Sequence, residues 1–272
     1  MNPTFQTENF QPVNRAFLNG DAVKCYFFVR NSKLIMAEEC YFFLMASMRK
    51  MRMNIPLSYT LEYFQNLLHN EILNRGFSNG IITFMAFRTN NEKQLQKSET
   101  DFYIDSLPLD DVLEIQKNVE IDVIKEISVN NGLLSNIQVH CAENTYSQIY
   151  AQENDLDDVI LLNPDKRIAR CSTGNLLLLT GKKIRIPKQT EGAYISPLME
   201  NFVTYLHKNH LAEISEEELI PFETQKADEI LLISDRLGIF SVNKIRNKSF
   251  GSEKFTGFVA GWKKSLEEDV TH

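Results

Sequence analysis

Residues 158–188, DVILLNPDKRIARCSTGNLLLLTGKKIRIPK, decide the fold. Four short apolar runs, DVILLN, RIARCS, NLLLL and IRIP, each read as a strand. Turn signals at Pro164-Asp165 and Thr180-Gly181 separate them. The connections are too short for crossover helices, so the pattern is antiparallel. Working outward, EILLIS (229–234) and GIFSVNKI (238–245) read as further strands joined by Asp235–Leu237. ISPLMENFVTYLHKNHL (195–211) has helical spacing, and the chain from Lys254 on is expected to be helical around Trp262. Glu216, Glu217 and Glu218 follow Ser215 and are expected to open another helix, where acids suit the positive end. Upstream lie short β segments around 119–129 and an amphipathic helix expected near 135–152.

The first hundred or so residues repeat the mixture. GDAVKCYFFVR (20–30) reads as a strand turning at Asn31-Ser32 into LIMA. Phe42, Met45, Met48 and Met51 space a helix over 38–53, closed by Asn54 and Pro56. Ser58 is expected to open a second helix, with Leu61, Phe64, Leu67, Leu68 and Ile72 on its apolar face and Gly76 at its end. IITFMAF (81–87) and DFYIDS (101–106) are strands around a polar stretch, 90–100, expected to be a solvated loop. The aromatic clusters at Phe27, Phe28 and at Tyr41, Phe42, Phe43 are expected to pack in the core or between subunits. These readings give an α+β protein with domains at 1–108 and 109–272.

Composition narrows the function classes. The net charge is −7, which argues against nucleic-acid or anionic-membrane binding. No apolar run approaches the ~18 residues that span a bilayer. The first residues, MNPTFQTENF, lack a basic-then-apolar signal pattern, so a cytoplasmic protein is expected. Cys25, Cys40, Cys141 and Cys171 form no CxxC pair and are expected as reduced thiols. His207 and His210 lack a third ligand, so no metal site is expected.

Several motifs, in order, resemble the class IV aminotransferases. These are the fold-type IV pyridoxal-phosphate (PLP) enzymes: branched-chain and D-amino-acid aminotransferases and 4-amino-4-deoxychorismate lyase. Asn14-Arg15-Ala-Phe-Leu-Asn-Gly20-Asp21 resembles the family's opening motif. Residues 34–56 resemble its first helix, and Arg167-Ile-Ala-Arg-Cys-Ser172-Thr-Gly-Asn175 its glutamate-serine-asparagine motif. Ile186-Pro187 and then Gly192 resemble its Thr-Pro turn and phosphate loop. Ala227-Asp228-Glu229-Ile-Leu-Leu-Ile-Ser234 resembles its late ADE strand. The resemblance implies a two-domain architecture like that of D-amino-acid aminotransferase. It also implies a homodimer with a cleft between the domains.

The chemistry does not carry over with the scaffold. A PLP transaminase needs a lysine to hold the aldehyde and move the proton. The family places it three residues before an Asn, and here Asn136 is present but the lysine position reads Leu133. The glutamate that holds the ring nitrogen protonated reads Arg170, a cation that opposes a pyridinium. The phosphate-binding arginine reads Phe43. The backbone phosphate loop reads Ser196-Pro197-Leu198, and Pro197 has no N–H to give. The phosphate-binding threonine reads Asp235 or Ser234.

The resemblance therefore implies a scaffold that binds no cofactor and is inactive as a transaminase or lyase. It leaves a cleft for an anionic small molecule, with Lys24, Arg88, Asn136, Arg170 and Asn175 as candidates. The alternative is an active PLP enzyme with Lys24 as a relocated catalytic lysine, since the family has a pocket-lining aromatic at that position. Arg170 is open to two roles. It either binds the anion, helped by Arg88 where some relatives hold a substrate carboxylate, or it pairs with a local acid such as Asp235.

Overall fold

The computed structural model describes residues 15–89 and 97–269. Two compact units divide the chain: residues 1–112 with 137–140, and residues 113–136 with 141–272. No helix among the described residues is long and apolar enough to cross a membrane.

The first unit runs α1 (Arg15–Asn19), β1 (Ala22–Arg30), β2 (Lys33–Ile35), α2 (Ala37–Lys50), α3 (Leu61–Arg75), β3 (Gly80–Arg88) and β4 (Thr100–Pro108). It is completed by a returning strand, β6 (Gln138–Val139). The sheet order is β2-β1-β3-β4, with β6 also on β1, and every pairing is antiparallel. Asn31 and Ser32 take φ of 50° and 59°, the left-handed pair that matches the strand twist of a two-residue hairpin. Phe64 on α3 meets Phe84 and Phe102 of the sheet at 5.3 and 5.6 Å, edge to face, so the rings close the core beneath the helix. The helix starts later than its sequence suggests. Tyr59 closes a turn on Pro56, and Thr60 Oγ1, not Ser58, accepts the N–H of Tyr63 at 3.2 Å. Gly76, at φ 61°, ends it as expected. Residues 90–96 of the polar stretch lie outside the described residues.

The second unit contains β5 (Ile115–Val123), α4 (Ala142–Glu153), β7 (Asp158–Leu162), β8 (Ile168–Cys171), β9 (Asn175–Thr180) and β10 (Lys183–Pro187). After them come α5 (Pro197–Lys208), β11 (Glu213–Glu217), β12 (Glu229–Ser234), β13 (Gly238–Ile245), β14 (Lys248–Ser249) and α6 (Glu253–Asp269). The nine-stranded sheet has the order β11-β10-β9-β12-β13-β5-β7-β8, with β14 on β13. It is mixed: β5 runs parallel to β13 and β7, and β10 parallel to β11. β7 is buried on both faces. Ile160 and Leu162 join the larger core of β9, β12 and β13, while Val159 and Leu161 join a smaller one with Ala151 of α4.

Two local readings are overturned in this unit. The helix expected from about residue 135 begins at Ala142, because Gln138 and Val139 are taken as a strand by Lys24 and Val23 of the first unit's β1. The helix expected at Glu216–Glu218 is instead strand and its exit. β11 pairs with β10, where Lys183 meets Glu217 at 2.6 Å and Lys188 meets Glu218 at 3.4 Å. Cations on the neighbouring strand outweigh the local helix-start signal.

Candidate functional site

The second unit gathers most of the candidate residues along one segment, 192–198. Its geometry begins at the β7–β8 pair. Ile160 faces Cys171, Leu161 faces Arg170 and Leu162 faces Ile168, so Ala169 is an extra residue in the ladder. That bulge changes which face the next side chain takes. Ala169 and Arg170 both turn towards α4, where Ala169 packs in the smaller core.

Arg170 is 2% exposed. Its Nη1 donates to the Gly192 carbonyl at 2.7 Å, and its Nη2 reaches Asn144 Oδ1 at 3.3 Å and Cys141 Sγ at 3.7 Å. Its guanidinium carbon stands 4.3 Å from the centre of the Tyr194 ring. Its buried Nε has no hydrogen-bond partner. None of these contacts is a carboxylate. The expected pairing with Asp235 does not occur, because that acid is engaged elsewhere. The charge is held by dipoles and a ring face, which offset part of its desolvation. Burial raises the Cys141 thiol, against the lowering effects of the Asn144 backbone and of Arg170.

The rest of the segment is tied down residue by residue. Gly192, at φ 106°, is left-handed, and a Cβ there would meet Ala169 Cβ at 3.2 Å. Asn175 clamps Tyr194 through both of its side-chain groups: Nδ2 donates to the Tyr194 carbonyl at 2.8 Å and Oδ1 accepts its N–H at 2.9 Å. Asn144 Nδ2 donates to the Tyr194 hydroxyl at 2.6 Å. The Asn136 carbonyl accepts the N–H of Ile195 at 2.9 Å. Asn136 and Asn175 thus position this segment.

At its end α5 begins, and every first-turn donor is accounted for. Pro197 has no N–H, and its fixed φ suits the first helical position. Leu198 N donates to Asp235 Oδ1 at 3.3 Å, Met199 N to Ser196 Oγ at 3.1 Å, and Glu200 N to the Ser196 carbonyl at 2.9 Å. The Ser196 hydroxyl in turn donates to Asp235 Oδ1 at 2.6 Å. Burial pushes the Asp235 carboxyl up to about 7, opposed by these hydrogen bonds and aided by Glu200. A side-chain carboxyl therefore sits where a helix start could receive an anion.

The remaining candidates divide between the two units. Leu133 is 74% exposed in the stretch before β6. In the first unit Phe43 is buried on α2, and Lys24 is an exposed residue of β1 between buried Val23 and Cys25. Arg88, at the end of β3, is buried. It donates through Nη1 to Asp21 Oδ1 and through Nη2 to the Met51 carbonyl, while Arg15 Nε holds Asp21 Oδ2 at 2.9 Å. Sequence reasoning missed Cys141, Asn144 and Tyr194 as Arg170's neighbours, since no local pattern marks them. No group of side chains among the described residues forms a metal site.

Comparison with known proteins gives these positions a context. The amino-transferase class IV profile matches residues 29–245. Solved structures share the fold at low identity. A protein of Legionella pneumophila assigned as 4-amino-4-deoxychorismate lyase has a TM-score of 0.82 at 18% identity, covering 97% of this chain and 96% of that one. The branched-chain aminotransferase of the archaeon Thermoproteus uzoniensis has a TM-score of 0.83 at 14% identity, covering 94% and 89%. The branched-chain amino acid aminotransferase of Escherichia coli has a TM-score of 0.81 at 14% identity, covering 93% and 88%. Among curated proteins, none matches this chain in sequence.

Proposed function

Because the chain belongs to the amino-transferase class IV family, we propose that it keeps the family's scaffold but has lost PLP binding and the transaminase or lyase chemistry that needs it. The observation that carries this reading is the donor account at the start of α5. A phosphate held by a helix start needs free N–H groups. Here Pro197 supplies none, and Leu198, Met199 and Glu200 are all engaged. Asp235, which follows the ADE-like strand, places a carboxyl over the same helix end and takes the Leu198 N–H that an anion there would use.

The other positions agree. Leu133 cannot form an imine, and Phe43 cannot bind phosphate. Arg170 would set a cation against a pyridinium nitrogen. On this reading the residues present do not fit the cofactor, and no catalytic step is assigned through it. Arg170, a buried cation with only neutral partners, supports a role in holding an anionic small molecule instead. The proposal includes a homodimer, which light scattering of the pure protein tests.

The test of the main reading is a PLP titration followed by visible absorption, then borohydride reduction and intact mass. The expected result is no imine band and no added mass. A reduced adduct would overturn the proposal. An adduct that vanishes in Lys24→Ala would move the chemistry to that strand.

A further inference from the structure

A cluster of arginines stands in the first unit, on α1, at the exit of α2 and at the end of β3. A cavity of about 370 Å³ opens there, lined by Arg15, Asn19, Asp21, Met51, Arg52 and Arg88. Its size is within the range of small-molecule pockets. Three guanidiniums face it, and among the described residues a single carboxylate lines it with them.

The hydrogen bonds show which donors remain. Asp21 spends one oxygen on Arg15 Nε and the other on Arg88 Nη1. Arg88 spends Nη2 on the Met51 carbonyl, the residue that closes α2. Arg88 is only 8% exposed, and among the described residues its Nε has no hydrogen-bond partner. Arg52 stands on the rim, exposed, with its backbone held at φ 53°. Among the described residues its side chain makes no hydrogen bond. Asp21 therefore orients two of the guanidiniums, and among the described residues the third is uncommitted.

We propose that this cavity is a binding site for a small dianion of the phosphomonoester class, seated between Arg15 and Arg52 and backed by Arg88. Guanidinium groups present paired N–H donors that match phosphate oxygens, and a phosphomonoester carries the −1.5 to −2 charge that the site lacks. The site needs nothing from the second unit, so it stands whether or not that unit binds PLP.

The test is calorimetric titration of the full-length protein with inorganic phosphate in a chloride buffer at neutral pH. Saturable binding at one site per chain is expected, weakened about tenfold or more in Arg52→Ser. Arg52 is exposed and outside the core, so that variant keeps the fold, which its unchanged thermal midpoint verifies. Lys208→Ser, at an exposed position in the last turn of α5, is expected to leave phosphate affinity unchanged. No saturable heat in the parent would overturn the proposal. So would affinity that is indifferent to Arg52, or that Lys208→Ser weakens equally.

Discussion

Two buried arginines show two ways of keeping a cation inside a protein. Arg88 in the first unit has a carboxylate, Asp21, which a second arginine shares. Arg170 in the second has a carbonyl, an amide oxygen, a thiol and the face of Tyr194. In the first arrangement the acid cannot be removed without stranding a charge. In the second no acid would be stranded by the arginine's removal.

The sharpest break in that comparison is Asp21→Ala. It leaves the buried Arg88 without its counter-charge and is expected to cost about 3–5 kcal/mol in urea unfolding. A loss below about 1 kcal/mol would mean that Met51 and solvent carry the charge alone.

Next is Asp235→Asn, which asks whether the second unit's unpaired acid behaves like its unpaired base. Asp235 in the folded state titrates at about 7, above its unfolded value. Between roughly pH 4 and 7 the folded chain therefore binds the extra proton, so stability falls as pH rises through that window and levels off above it. The amide keeps an acceptor for Ser196 and removes the titration. The variant is expected to gain on the parent between pH 5 and pH 8 by about 2–3 kcal/mol. Parallel urea curves at the two pH values measure it, and equal differences at both would show that Asp235 stays ionised when folded.

Arg170→Met is expected to be neutral or to stabilise by about 1–2 kcal/mol, because it removes a buried charge and orphans no acid. A loss as large as that of Asp21→Ala would erase the contrast between the two arginines. The smallest effect is that of Tyr194→Phe. It removes the hydrogen bond from Asn144 but keeps the ring under Arg170, for a cost of about 1 kcal/mol. A larger cost would assign the orientation of the 192–198 segment to that hydroxyl.

Much of the fold was legible because it is written locally. The run 158–188 carries its strands, turns and spacing in consecutive residues, and they appear as β7 to β10. The failures share a cause: a distant partner outweighs local preference. Gln138 and Val139 lie in what reads as helix, yet β1 takes them as a strand. Glu216 and Glu217 read as a helix start, yet β10 offers a free edge and a lysine. At the site, residue identities were legible through the family resemblance but their partners were not. Arg170 and Asp235 have opposite charges and invite pairing on paper. The bulge at Ala169 turns the arginine towards α4, and the start of α5 claims the acid.

The short strand β6 sets a schedule for the chain as it is made. Val23 and Lys24 pair on one side with Ala86 and Met85 of β3, but on their other edge with Val139 and Gln138, more than a hundred residues later. At about 5–20 residues per second, a growing chain carries that half-edge of β1 unpaired for several seconds after its own sheet partners have emerged. An open edge is the part of a sheet that recruits other chains. A fragment ending at residue 112 would keep it open permanently, so the first unit is harvested whole only with residues 137–140 included.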